Sequence, residues 1–247
     1  MRKRGKMWLG GLAVLLLILS IPVQQLYQEY RKAASEDPLV WEEDIAAFEQ
    51  AARDEPPPQD AVVFVGSSSI RLWQTLARDM APIPVIQRGF GGAKMNDVVH
   101  YAERLENAWS PAAVVVFAGT NDITPQGSKP PERILASYRE LVRKLRAGNP
   151  QLPIYYIAIT PSPSRWEVWE TARATNDLIR AFSLQSPGLH FVDTGPALLN
   201  AQGEPDPVNY MIDSLHLSKE GYRVWTSIIR PLLLQDLPGY GIQAAAR

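Results

Sequence analysis

Five short runs of β-branched and other apolar residues, each followed by a stretch with helical spacing, predict an α/β fold: a three-layer α/β/α sandwich around a five-stranded parallel sheet. Parallel strands are covered on both faces, so they read as unbroken hydrophobic runs rather than as alternating patterns. The composition agrees, with 46% hydrophobic and 21% charged residues in a chain of 247, which excludes a disordered or collagen-like protein. That length suits one α/β unit with an appendage.

The appendage comes first. Arg2, Lys3, Arg4 and Lys6 precede 22 uncharged positions from Met7 to Gln28, which as a helix rising 1.5 Å per residue would reach about 33 Å, close to the thickness of a bilayer core. With the four cations held inside by the positive-inside rule, the expectation is a membrane-anchored protein whose remainder lies outside the cytoplasm. A cleaved signal peptide and a secreted protein are the alternative, although Ser20-Ile21-Pro22-Val23-Gln24 is a poor cleavage site. Residues 1–30 are thus read as the anchor or signal segment, 31–59 as a helix and Pro-rich linker, and 60–247 as the folded domain. Leu39, Ile45 and Phe48 have helical spacing in the second part, and Pro56-Pro57-Pro58 stops that helix.

Within the domain the expected strands are Ala61 to Val65, Pro84 to Gln87, Ala112 to Phe117, Pro153 to Ile159 and Leu189 to Val192. The clearest helices are Asn96 to Ala108, Pro131 to Ala147, Trp166 to Leu184 and Ser218 to about Leu234. Pro131 suits a first helical turn, and Gly148-Asn149-Pro150 a stop. In such a fold the carboxyl ends of the strands carry the ligand site. Four of those ends are small or polar: Gly66-Ser67-Ser68-Ser69, Gly89-Phe90-Gly91-Gly92, Gly119-Thr120-Asn121-Asp122 and Thr160-Pro161-Ser162-Pro163.

The absence of cysteine excludes thiol catalysis, disulfides and thiolate metal sites, and no histidine pair has ligand spacing, so neither a metal nor another cofactor is expected. A net charge of -1 gives no footprint for nucleic acid. Any mechanism that needs an imidazole must choose among His100, His190 and His216. His190 opens a strand and reads as structural, and His100 lies inside a helical pattern. His216 stands in a polar loop three residues after Asp213, whose carboxylate can orient the ring toward a nucleophile. The serines after the first strand supply a hydroxyl for that base, or else cap the next helix. The Asn121 amide and the backbone N–H groups of Gly92 and Ser68 can stabilise an oxyanion; the alternatives are a turn residue for Asn121 and a tight turn for Gly92.

Taken in order, these blocks resemble the SGNH, or GDSL, hydrolases, a branch of serine esterases and lipases. Phe64-Val65-Gly66-Ser67-Ser68-Ser69-Ile70, Arg88-Gly89-Phe90-Gly91-Gly92, Gly119-Thr120-Asn121-Asp122 and Asp213-Ser214-Leu215-His216 carry the resemblance over roughly residues 60 to 235. It implies the flavodoxin-like SGNH fold, Ser68 as nucleophile, His216 as base, Asp213 as its partner, and an oxyanion hole of Ser68, Gly92 and Asn121. The family's usual Asp is Ser67 here, which makes Ser67 and Ser69 fallback nucleophiles. The implied activity is cleavage of carboxylic esters through an acyl-enzyme; the short loops, with no long amphipathic lid, favour short-chain acyl or acetyl esters of small molecules or glycans, in competition with lysophospholipids. The alternatives are an acyltransferase, or a membrane-tethered module that binds acyl esters or glycans without turnover. Trp166, Trp169 and Asn209-Tyr210-Met211 are expected either to wall an acyl pocket or, for the tryptophans, to pack a helix on the sheet.

Overall fold

A computed structural model describes residues 28–106, 110–237 and 239–240. It is an α/β protein whose central sheet contains β1 (Val62–Gly66), β2 (Val85–Gly89), β3 (Ala113–Phe117), β6 (Ile154–Ile157) and β7 (Leu189–Val192). Their order is β2-β1-β3-β6-β7, and all four pairings are parallel. The expected five-stranded parallel sheet is therefore present. A two-residue hairpin, β4 (Ile123–Thr124) with β5 (Gly127–Ser128), stands apart from it after β3.

Every residue of β1 and β3 is buried, and alternate side chains serve opposite layers. Val63, Val65, Val114 and Val116 join the core beneath α2 (Glu42–Asp54), α5 (Met95–Glu106), α6 (Pro131–Leu145) and α7 (Trp169–Leu184). Val62, Phe64, Val115 and Phe117 join the opposite core with Trp73, Tyr222, Trp225 and Ile229, where α8 (Lys219–Asp236) packs. Two short helices, α3 (Ser68–Arg71) and α4 (Leu76–Met80), connect β1 to β2. Pro163 opens a 3₁₀ turn over Pro163–Val168, so α7 begins three residues later than the periodicity predicts. Ser218 caps α8 through its hydroxyl, which accepts from the Glu220 and Gly221 N–H groups at 3.1 and 3.3 Å.

Ahead of β1, residues 28–34 form a helix, α1, and Pro38–Trp41 a 3₁₀ turn. Trp41 and Ile45 are buried in the core, where Trp41 meets Phe90 edge-on at 5.6 Å, whereas Leu39 faces solvent. The expectation of a membrane-anchored protein is corrected: among the described residues no helix is long and apolar enough to cross a membrane. The uncharged run to which the anchor was assigned lies outside the described residues, except for Gln28.

Candidate active site

The order of the sheet reverses between β1 and β3, and at such a switch point the connections leave in opposite directions and open a crevice above the strand ends. Ser68 follows β1 and Asn121 follows β3. Gly66 makes the first turn possible. Its φ is +142°, and a Cβ there would stand 1.9 Å from the Phe117 carbonyl oxygen. The Ser67 N–H donates to that same oxygen at 3.0 Å, which pins the turn to β3 and starts α3 at Ser68.

Of the three serines, Ser67 and Ser69 are buried and Ser68 is partly exposed. Ser68 Oγ lies 2.9 Å from His216 Nε2, and His216 Nδ1 lies 2.6 Å from Asp213 Oδ2. The other Asp213 oxygen accepts from the Leu215 and His216 N–H groups, both at 3.0 Å. Partial burial pushes the Asp213 carboxyl up, but the His216 ring and these two N–H donors outweigh it and hold the group below its ordinary value. The loop is held rigidly. Tyr210 bridges Leu217, Met211 N–H donates to the His216 carbonyl at 2.7 Å, and Ser214 takes a φ of +58°, a left-handed conformation unusual for a residue with a side chain.

Asn121 lines the same small pocket as Ser68 and His216, and one N–H of its amide donates to the Ala93 carbonyl at 3.0 Å. That bond ties the β3 turn to the β2 turn. Gly92 sits in the latter with φ +80°, and the position of a Cβ on it would be 2.6 Å from the Ala33 Cβ of α1; it is not among the residues lining the Ser68 pocket. The neighbouring Asp122 is buried and organises the structure: it accepts from Met95 N–H at 2.8 Å at the start of α5 and pairs with Lys129 at 3.0 Å.

His190 stacks on Tyr155 and faces Asp236, and His100 meets Tyr101 edge-on, so both lie among structural partners away from Ser68. Trp166 and Trp169 stack on each other at 6.0 Å, Trp166 partly exposed and Trp169 against the core; Tyr210 is buried with its hydroxyl on the Pro161 carbonyl. None of these lines the Ser68 pocket. Its walls are instead Phe117, Thr120, Thr160, Ser162 and Leu215 together with the three serines, Asn121 and His216, and it encloses only about 10 Å³. The Thr120 and Ser162 hydroxyls there are buried without a hydrogen-bond partner. Strand-end composition pointed to the turns that hold Thr120, Thr160 and Ser162, but periodicity carries no signal for which side chains face the pocket.

A much larger open cavity of about 750 Å³ adjoins it, with Asn121 lining both. Tyr30, Ala33 and Ala34 of α1 form one side and Arg165 another. No group of acidic residues and histidines suited to a metal ion occurs among the described residues.

A model of the GDSL-like Lipase/Acylhydrolase family matches residues 51–224. Platelet-activating factor acetylhydrolase IB subunit alpha1 of Rattus norvegicus is 30% identical over 208 residues, covering 76% of this chain and 83% of that protein. Among solved structures, one from Streptococcus pneumonia superposes with a TM-score of 0.71 at 18% identity, over 87% of this chain and 99% of that one. A GDSL-like lipase from Bacteroides thetaiotaomicron does so with a TM-score of 0.64 at 20% identity, over 78% and 98% of the respective chains.

Proposed function

Because the chain belongs to the GDSL-like lipase/acylhydrolase family and is a hydrolase acting on ester bonds, we propose that Ser68, His216 and Asp213 perform the acyl transfer and that the acyl group is small. The observation that carries this reading is the unbroken relay from Ser68 Oγ through the two His216 nitrogens to Asp213, at 2.9 and 2.6 Å. A serine hydroxyl is a weak nucleophile until a base takes its proton, and His216 is the histidine in reach. Ser68 Oγ attacks the ester carbonyl as its proton passes to His216 Nε2. The tetrahedral intermediate then expels the alcohol, which leaves with that proton, and water repeats the sequence on the acyl-enzyme. Asp213 keeps the ring in the tautomer with Nε2 free to accept. The Ser68 N–H and the second N–H of the Asn121 amide serve the oxyanion from the pocket wall, and the Gly92 N–H is assigned to it on the resemblance alone.

The pocket supports the small size of the acyl group. About 10 Å³ beside the serine is room for a group the size of one water molecule, which favours a methyl over a long alkyl chain in that pocket. The acetylhydrolase name of the rat relative is in line with this. The alcohol would then occupy the open cavity. The hydrolase unit runs from residue 60 onward, with residues 28–59 folded back on it so that α1 meets Gly92.

A panel of 4-nitrophenyl esters from acetyl to palmitoyl tests this. We expect kcat/KM to be highest for acetate and to fall steeply beyond butyrate, with all turnover lost in Ser68→Ala. A maximum at octanoate or longer would refute the small-acyl assignment.

A further inference from the structure

The large cavity beside Asn121 has an uneven distribution of charge. Lys94 is paired with Glu36 at 3.1 Å, and Lys129 with Glu36 at 2.9 Å and with Asp122 at 3.0 Å. Both lysines on the wall are therefore neutralised by carboxylates. Arg165 is not. Its Nε is buried without a hydrogen-bond partner, and it forms no ion pair among the described residues. Burial is the only influence on its titration, and it pushes the pKa down with no carboxylate to offset it. A guanidinium stays charged in a protein, so the cavity carries one positive charge, half-buried and unpaired. Such a charge is costly unless it is compensated when the cavity is filled.

The position of Arg165 indicates which part of a substrate it meets. It lies in the Pro163–Val168 turn, where the Ser164 N–H donates at 3.0 Å to the carbonyl of Ser214, between Asp213 and His216. The backbone that carries Arg165 is thereby tied to the loop of the imidazole that must protonate the departing oxygen. With a small acyl group in the pocket at the serine, the large cavity is left for the alcohol.

We propose that Arg165 holds an oxyanion, a carboxylate or phosphate, on the leaving alcohol, which makes the cavity beside Asn121 a subsite for anionic alcohols. This rests on the small-acyl reading above. Arginine suits the role because its planar fork matches either oxyanion with two parallel hydrogen bonds.

The test compares three acetates that differ only in the alcohol: neutral methyl 4-acetoxybenzoate, 4-acetoxybenzoate and 4-acetoxyphenyl phosphate. The readout is the ratio of kcat/KM for each anionic acetate to that for the neutral one. We expect Arg165→Gln to lower that ratio about tenfold or more for the carboxylate, the phosphate or both, the loss of a charge-assisted pair, and Arg165→Lys to recover much of it. A merely structural role would depress all three acetates together and leave the ratio unchanged, and that result overturns the proposal. An Arg165 dependence found only for 4-nitrophenyl hydrogen succinate against 4-nitrophenyl acetate, with the charge on the acyl side, overturns it as well. A second readout is independent of turnover: binding of the product alcohols 4-hydroxybenzoate and 4-hydroxyphenyl phosphate by calorimetry, expected to weaken about tenfold in Arg165→Gln. Equal binding by both proteins refutes the subsite, whereas loss of turnover with this difference preserved would count against the esterase reading alone.

Discussion

Among the residues of the site, Asp213 makes the most specific prediction about pH. Its folded-state pKa is lowered, so the stability it contributes is complete above the ordinary carboxylate value and is lost as pH falls through the folded value. In Asp213→Asn that contribution is absent at every pH. The difference in Tm between wild type and variant should therefore be positive near neutrality and shrink toward zero below about pH 4, the ordinary carboxylate range. A difference that stays constant from pH 7 to 3 would contradict the assignment. Asp213 and His216 are three residues apart in a polar loop, and their pairing was legible from that spacing. The contact with Ser68, 148 positions away and dependent on the sheet order, was legible only through the resemblance that the ordered blocks carry. Arg165 was not legible, since its proposed role rests on its having no ion pair among the described residues.

At the level of elements, the turn from β1 into α3 is the most constrained segment. Gly66 combines a φ of +142° with the approach of the Phe117 carbonyl oxygen, so any side chain must push β1 from β3. Gly66→Ala should cost about 3 kcal/mol or more, read as a lower midpoint of urea unfolding; an unchanged midpoint would mean that the turn relaxes freely. The central strands were legible because both faces are buried, giving runs such as Ala113–Phe117 with no polar interruption. The start of α7 was harder to place, since Trp166 continues a helical spacing that Pro163 converts into a 3₁₀ turn. The hairpin of β4 and β5 has only two residues per strand and one exposed member, too little for a periodic signal.

Over the whole molecule, the parts that meet at the crevice come from opposite ends of the chain. Helix α8 follows the His216 loop and packs on one face of the sheet, while the segment before β1 packs on the other and reaches the β2 turn. Trp41 is the anchor of that segment, fully buried and donating from its indole N–H to Asp97 at 3.2 Å. Trp41→Ala should destabilise the protein by about 3–5 kcal/mol, measured by denaturant unfolding; a loss under about 1 kcal/mol, the size of ordinary surface effects, would show that residues 28–59 only rest on the fold. From sequence the same segment read as a helix and linker ahead of the domain. Leu39, Ile45 and Phe48 were read as its apolar positions, but Trp41, the residue that docks it, stands four and seven residues before Ile45 and Phe48 and fits helical spacing better than the exposed Leu39.

The mechanism requires Ser68 to be the hydroxyl that His216 activates. Labelling with a serine-reactive fluorophosphonate, followed by peptide mass analysis, examines this directly. One phosphonyl group on Ser68 is predicted, absent from Ser68→Ala and from His216→Ala. Label on Ser67 or Ser69, or none in the wild-type protein, would contradict it.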